Sequence, residues 1–373
     1  MTQDNSPTVN QPLRGIRVIE FEGLGVIPYV GMLLADLGAS VVRVARVAAP
    51  DVLSDGPARI DPAFDFTSRG RLVWRLNLKK DDRAELQGLL RCADVLLEGY
   101  RPGVMERLSL GPTDVFALNR RIIYSRLTGL PRRLDSSRAP VHDINALALS
   151  GALHALGSPG RAPRLPMNFV ADYGGGSLVG VAVCAALSQR SGPMEDRILD
   201  LSILGTLSTL LTGYFGLTGQ GTIQSPGTSY LDGAAPFYGT YGTSDGRFLA
   251  VGAMEAHFYA NFLSALGLTI GDVGEQNDAA CWPSGRAVIA KVIESRTLEH
   301  WIARYRDVEA CVSPVLTPSE AAVQDPMRST LADVGSWVQP LPLLGGAMPT
   351  PAKYVSEEEI SHVRSQWTRQ LSQ

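Results

Sequence analysis

The chain has 373 residues, of which 45% are hydrophobic and 19% charged, and its formal net charge is −3. That length suggests about two domains with a sizeable core, and the even charge balance excludes a general attraction to nucleic acid or anionic lipid, so any bound anion must be met locally. Four cysteines, Cys92, Cys184, Cys281 and Cys311, lack C-x-x-C spacing and read as reduced core residues rather than a disulfide framework. Met1 to Pro12 is polar without the apolar run of a secretory leader, and no stretch approaches ~18 uninterrupted apolar residues, so a cytoplasmic protein with no membrane association is expected.

In chain order, Arg14 to Phe21 reads as a buried strand, Gly23 to Pro28 as a glycine turn opening an apolar helix to Leu37, Gly38 as its stop, and Ser40 to Ala45 as a second strand. The pattern repeats: a strand at Leu72 to Leu78, a helix at Asp81 to Cys92, a strand at Asp94 to Glu98, a helix after Pro102 and a strand at Arg121 to Arg126. Alternation of this kind implies a parallel sheet covered by helices on both faces. Asn145 to Leu156, Ser177 to Gln189 and Leu199 to Leu217 read as helices, being rich in aliphatic residues.

From Thr218 to Gly246 glycine, threonine, serine and tyrosine dominate, as in a linker. Beyond it come a strand at Phe248 to Val251, helices at His257 to Leu266, Ser284 to Glu294 and Thr297 to Tyr305, and a strand-like Cys311 to Leu316. The fold class expected is α/β: a large Rossmann-like domain with a parallel sheet over 1–217, a linker over 218–246, a small α+β domain over 247–325, and an extended segment over 326–373 returning to the large domain. Prolines at 340, 342, 349 and 351 support that extended tail.

The turn Gly23-Leu24-Gly25-Val26-Ile27-Pro28 is close to the dinucleotide fingerprint, with proline at the third glycine position. The second strand ends near Arg43 and Arg46 instead of an acidic residue, which suits a phosphorylated ribose as found in NADP and on the 3′ position of coenzyme A; solvated arginines fit equally well. Arg101, before Pro102 and a helix start, is a further candidate for an anion or an ordinary helix entrance.

Two phrases carry candidate proton-transfer groups. In Asn168-Phe169-Val170-Ala171-Asp172-Tyr173-Gly174-Gly175-Gly176-Ser177, the aspartate is followed by glycines that let backbone amides approach a ligand, although Asp172 also suits a helix cap. In Val141-His142-Asp143-Ile144-Asn145, His142 is one of five histidines, and Asp143 can orient it or cap the helix. Glu255, at a strand-to-helix junction, caps that helix or polarises a histidine. No His-Glu-x-x-His or close His/Cys set suggests a metal.

Taken together, Met32-Leu33-Leu34-Ala35-Asp36-Leu37-Gly38-Ala39 with Val41 to Val44, Arg101-Pro102-Gly103-Val104-Met105-Glu106-Arg107-Leu108, His142-Asp143-Ile144-Asn145, Ala171 to Ser177 and Leu231-Asp232-Gly233-Ala234-Ala235-Pro236-Phe237-Tyr238 resemble the family III coenzyme A transferase superfamily. Within it the resemblance is to the alpha-methylacyl-CoA racemases. It implies that His142 and Asp172 act as bases on opposite faces of a 2-methylacyl-CoA alpha carbon, with Glu255 partnering the histidine. It also implies an interlaced homodimer, an acyl-CoA thioester substrate and no cofactor beyond the coenzyme A of that substrate. Candidate binding residues are then Arg43, Arg46, Arg101, Asp143, Asn168, Gly174, Gly175 and Tyr238.

This sequence departs from the family at Ala45, at Ala146 and in the basic segment Gly129 to Arg138. A coenzyme A transferase using an Asp172 acyl anhydride is the principal alternative. An NADP-dependent oxidoreductase and a non-catalytic acyl-CoA-binding protein are remoter ones. Branched fatty acyl, sterol side-chain and bile-acid thioesters fit the racemase reading alike.

Overall fold

The computed structural model describes residues 10–47, 61–78, 83–189, 193–223, 225–344 and 348–371. The chain divides into two compact units, one made of Met1–Ser150, Pro166–Leu210 and Thr330–Gln373, the other of Gly151–Leu165 and Leu211–Ser329.

The first unit holds β1 (Arg17–Phe21), β2 (Ser40–Ala45), β3 (Arg71–Arg75), β4 (Val95–Glu98), β5 (Ile123–Thr128) and β6 (Ile198–Ser202). They form one parallel sheet in the order β3-β2-β1-β4-β5-β6, and the C-terminal strand Lys353–Val355 adds in parallel outside β3. Register places Ile19 of β1 between Val42 of β2 and Leu96 of β4. This is the doubly wound order, which reverses direction between β1 and β4. Sheets of this kind offer their ligand crevice at the carboxyl ends of the strands beside that switch point.

Successive strand side chains point to opposite faces, and both faces are buried. Val18, Val41 and Val95 pack under the helices Val26–Asp36 and Gly175–Ser188. Ile19, Val42 and Leu96 pack on the other face with Leu86, Leu89 and Leu90 of the Ala84–Cys92 helix. The C-terminal helix Glu357–Leu371 closes that face with Ile360, Val363 and Trp367. A buried bidentate pair from Arg17 to Asp94, at 2.7 and 2.9 Å, joins the start of β1 to the residue before β4, and a third bond runs from Arg17 to the Trp367 carbonyl.

The second unit has a three-stranded antiparallel sheet, Tyr238–Gly242, Phe248–Gly252 and Val312–Pro314. Helices Ala256–Leu266, Trp282–Glu294 and Leu298–Tyr305 pack with it through Phe237, Tyr259, Phe262, Trp301 and Tyr305. The molecule is therefore α/β with a smaller α+β unit.

Several elements differ from the sequence expectation. Ile198–Ser202, read as helix from its aliphatic run, is an edge strand whose Arg126↔Asp200 register lets a bidentate ion pair form with β5. The expected helix from Asn145 to Leu156 breaks into Asp143–Ser150 and Ala152–Ala155 at Gly151, whose φ of +83° reverses the chain where the first unit gives way to the second. Strand Tyr238–Gly242 lies in the segment read as a linker, because its pairing partner Phe248–Gly252 is supplied by a short turn. The tail contains an antiparallel hairpin, Leu331–Val334 with Trp337–Pro340, and a 15-residue helix as well as extended chain. The start expected at Asp81 for the second helix lies outside the described residues. All four cysteines are free; Cys92 is buried, but Cys311 is exposed rather than in a core.

Candidate active site

His142 ends the loop after β5 and heads the helix Asp143–Ser150. Its N–H donates to Asn145 Oδ1 at 3.1 Å while its carbonyl accepts from the amides of Asn145 and Ala146. This reciprocal cap fixes the backbone and leaves the imidazole exposed.

Asp172 lies in a π-helical segment, Phe169–Gly174, that runs without interruption into the Gly175–Ser188 helix. Insertions of this kind swing side chains out of the regular helical spiral and recur at functional sites. Just before it, Met167 holds φ at +55°, in the left-handed region that non-glycine residues rarely occupy. The Asn168 side chain lies on the side of Asp172 where it favours the ionised carboxylate.

Asp143 does not cap its own helix. One of its carboxylate oxygens, Oδ2, accepts the N–H groups of both Ala171 and Asp172, each at 3.1 Å. The residue after one candidate base thus holds the backbone of the other.

The glycine turn after β1 supplies the third side of the site. Gly25 heads the Val26–Asp36 helix with φ 61° and ψ −102°, a conformation open only to glycine. A Cβ placed on it would lie 2.5 Å from Asp172 Oδ2. The turn that resembles a dinucleotide fingerprint therefore makes room for a carboxylate of its own chain.

Burial, aided by Asp143, pushes the Asp172 carboxyl up to about 6 against the opposing pull of His142 and the Asn168 side chain. Burial likewise raises Asp143, opposed by its two amide donors. A carboxyl poised near 6 can both accept and return a proton close to neutral pH.

The glycines after Asp172 do something other than expected. The helical run starts at Phe169 rather than Ser177, so Gly174 and Gly175 sit within it and do not present the free amides of a helix end. Their smallness serves packing: a Cβ on Gly175 would meet Thr206 Oγ1 at 2.6 Å, and one on Gly176 would meet Tyr29 Cδ1 at 3.0 Å. The Tyr29 and Tyr173 rings lie 4.7 Å apart between centroids across this contact.

The expected arginines separate. Arg43 is largely buried, donating to Glu20 Oε1 at 2.7 Å and to Ser68 Oγ at 3.0 Å. Arg71, fully buried, holds the other oxygen of Glu20 at 2.6 Å. Arg43 is thus mostly committed to structure, although its Nη2 is buried without a hydrogen-bond partner. Arg46, beside Glu22 at 3.4 Å, and Arg101 are exposed. Glu255 and Tyr238 belong to the second unit. Glu255 stands at the N-cap of the Ala256–Leu266 helix, is exposed, and makes no side-chain cap bond.

One cluster escaped the sequence reading. Buried Glu98, at the carboxyl end of β4, accepts from the Tyr100 amide at 2.7 Å and from Arg132 at 3.0 Å, and burial pushes it up to about 7. Arg132 also faces Asp200 at 3.3 Å, so the basic segment 129–138 is pinned to the sheet ahead of His142. Its only sequence signal was the excess of arginine. Among the described residues, no group of three or more His, Cys, Asp or Glu side chains is placed to hold a metal ion.

Comparison with known proteins shows the family. The profile of CoA-transferase family III matches residues 13–352. An alpha-methylacyl-CoA racemase of Mus musculus is 38% identical over 91% of this chain and 88% of its own length, and that of Homo sapiens is 36% identical over 91% and 87%. In structure, a CAIB/BAIF family protein from Brucella suis covers 96% of this chain and 100% of its own with a TM-score of 0.76 at 20% identity, a likeness of fold. The chain belongs to CoA-transferase family III.

Proposed function

We propose that this protein is an alpha-methylacyl-CoA racemase, an isomerase that interconverts (2R)- and (2S)-2-methylacyl-CoA thioesters. The observation that carries the reading is that one unit holds both Asp172 and His142, with the residue after His142 bonded through its Oδ2 to the Asp172 N–H at 3.1 Å. The identity to mammalian racemases over most of the chain supports it.

In one direction the Asp172 carboxylate removes the alpha proton, the thioester becomes an enolate, and protonated His142 delivers a proton to the opposite face. In the reverse direction neutral His142 removes the proton and the Asp172 carboxylic acid returns one. Both directions use a site carrying a single proton between two groups, which fits a carboxyl raised toward the range of an imidazole. Glu255 is assigned as the third member of the trio, and Glu255→Gln is expected to slow the reaction. No cofactor is required beyond the coenzyme A of the substrate, whose phosphates we assign to exposed Arg46 and Arg101.

The protein is further proposed to be a cytoplasmic homodimer. Leu149, Met167, Phe169 and Val181 are 59–68% exposed on or beside the helices that carry the site, an apolar surface that a second copy would cover. Light scattering at micromolar concentration is expected to give twice the chain mass.

A single-enantiomer 2-methylacyl-CoA incubated in deuterated water tests the activity: deuterium enters the alpha position with inversion. A coenzyme A transferase would use the same carboxylate to attack the thioester carbonyl, expelling the coenzyme A thiolate and leaving a mixed anhydride. It would move coenzyme A to a carboxylic acid without such exchange.

A further inference from the structure

We propose that Asp143 is a positioning residue that sets the spacing between His142 and Asp172, and that it does not ligate the substrate. The proposal deepens the racemase reading and rests on it.

Two bases that work on opposite faces of one carbon must be held at a fixed separation, because a misplacement of about 1 Å can lower a rate on the order of 100-fold. Here the bases stand on different helices, 30 residues apart in sequence as counted from His142 to Asp172. Asp143 bridges them. It is bonded in the chain to His142, and its Oδ2 accepts the N–H of Asp172 itself together with that of Ala171. Nothing longer than one side chain separates the backbone of the first base from that of the second. The His142 cap and the packing of Asp143–Ser150 on the Ile203–Leu210 helix hold the near end of this bridge, with Ala146 and Leu147 buried.

The choice of aspartate has a consequence that a neutral cap would not have. A carboxylate suits the amides at the start of a helical run, yet it also faces Asp172 and raises it, against His142 and Asn168, which lower it. Asparagine could accept the same two N–H groups through its single carbonyl oxygen without that charge. Position and charge can therefore be separated by substitution.

The test compares Asp143→Ala and Asp143→Asn by alpha-deuterium exchange of 2-methylacyl-CoA from pH 4.5 to 9, and by hydrogen exchange at the amides of residues 171 and 172 without substrate. Asp143→Ala is expected to lower kcat about 100-fold with KM within about twofold, and to expose both amides. Asp143→Asn is expected to recover most of that loss, keep the amides protected and move the acid limb of the kcat profile to lower pH. The proposal is overturned if Asp143→Ala keeps its kcat, if its loss lies in KM alone, if Asp143→Asn is as impaired as the alanine variant, or if the two amides exchange freely in the unaltered protein. Absence of deuterium exchange in the unaltered protein would instead overturn the racemase reading, and amide protection in the two variants would still decide the bridge.

Discussion

Two buried or half-buried carboxylates meet the helix Val26–Asp36 through a glycine, and they are treated in opposite ways. Glu20 lies under Gly31, where a Cβ would collide with its Oε2, and each of its oxygens is matched by a guanidinium, Arg43 and Arg71. Asp172 lies against Gly25, where a Cβ would fall 2.5 Å from its Oδ2, and its ionisable neighbours are a second carboxylate and an exposed imidazole. The first arrangement holds opposite charges at hydrogen-bonding distance and fixes the fold. The second brings like charges together and leaves a proton easy to move. The contrast separates structural from chemical carboxylates better than burial does.

The largest expected effect tests the chemical side of that contrast. Asp172→Asn should slow alpha-hydrogen exchange by about 10³ without lowering the thermal midpoint at pH 7. The sign follows from the raised carboxyl: a group whose proton affinity is higher in the folded state stabilises it below its unfolded value near 3.8, and this is lost as pH rises through about 6. Removing it at neutral pH therefore sacrifices no stability. Arg71→Ala should do the reverse, destabilising by about 3–5 kcal/mol because Glu20 is left with one partner in a buried site. Urea unfolding measures this, and folded enzyme should keep its kcat.

The two glycines sharpen the comparison at smaller scale. Gly25→Ala forces a side chain into an unsuitable backbone conformation, at about 1–3 kcal/mol, and displaces Asp172, so kcat should fall together with stability. In Gly31→Ala stability alone should fall, although alanine is ordinarily the better helix former by about 1 kcal/mol. A Gly31 variant that lost kcat but not stability would dissolve the distinction. The mildest effect is the pH dependence. Activity of the unaltered enzyme should decline about tenfold per unit below pH 6 as Asp172 takes up its proton, and a profile flat to pH 4.5 would contradict the raised carboxyl.

The sheet was legible in the sequence because its strands are near-continuous Val, Ile and Leu runs punctuated by glycine and proline, and the phrases around His142 and Asp172 drew attention to the candidate site. What was hidden is non-local. Nothing near Gly25 announces Asp172, 147 positions later in the chain, and the motif pointed to a phosphate instead. Arg43 reads as a surface cation until Glu20 and Arg71 are seen around it. Asp143 looks like a cap for its own helix because the helix it serves is remote in sequence. Ile198–Ser202 has the composition of a helix and becomes a strand because β5 offers it an edge. The C-terminal helix had a usable signal that the preceding prolines obscured, namely Glu357 to Glu359 in its first turn and Ile360, Val363 and Trp367 on one face.

The central claim is that Asp172 and His142 are opposed bases on one alpha carbon. Proton NMR of (2R)- and, separately, (2S)-2-methylacyl-CoA in deuterated water with this enzyme tests it most directly. Each enantiomer should lose its alpha proton and yield deuterated product of the opposite configuration, with inversion abolished in both His142→Ala and Asp172→Asn. Retention of the alpha proton in both substrates, with coenzyme A passing to an added carboxylic acid, would contradict the account.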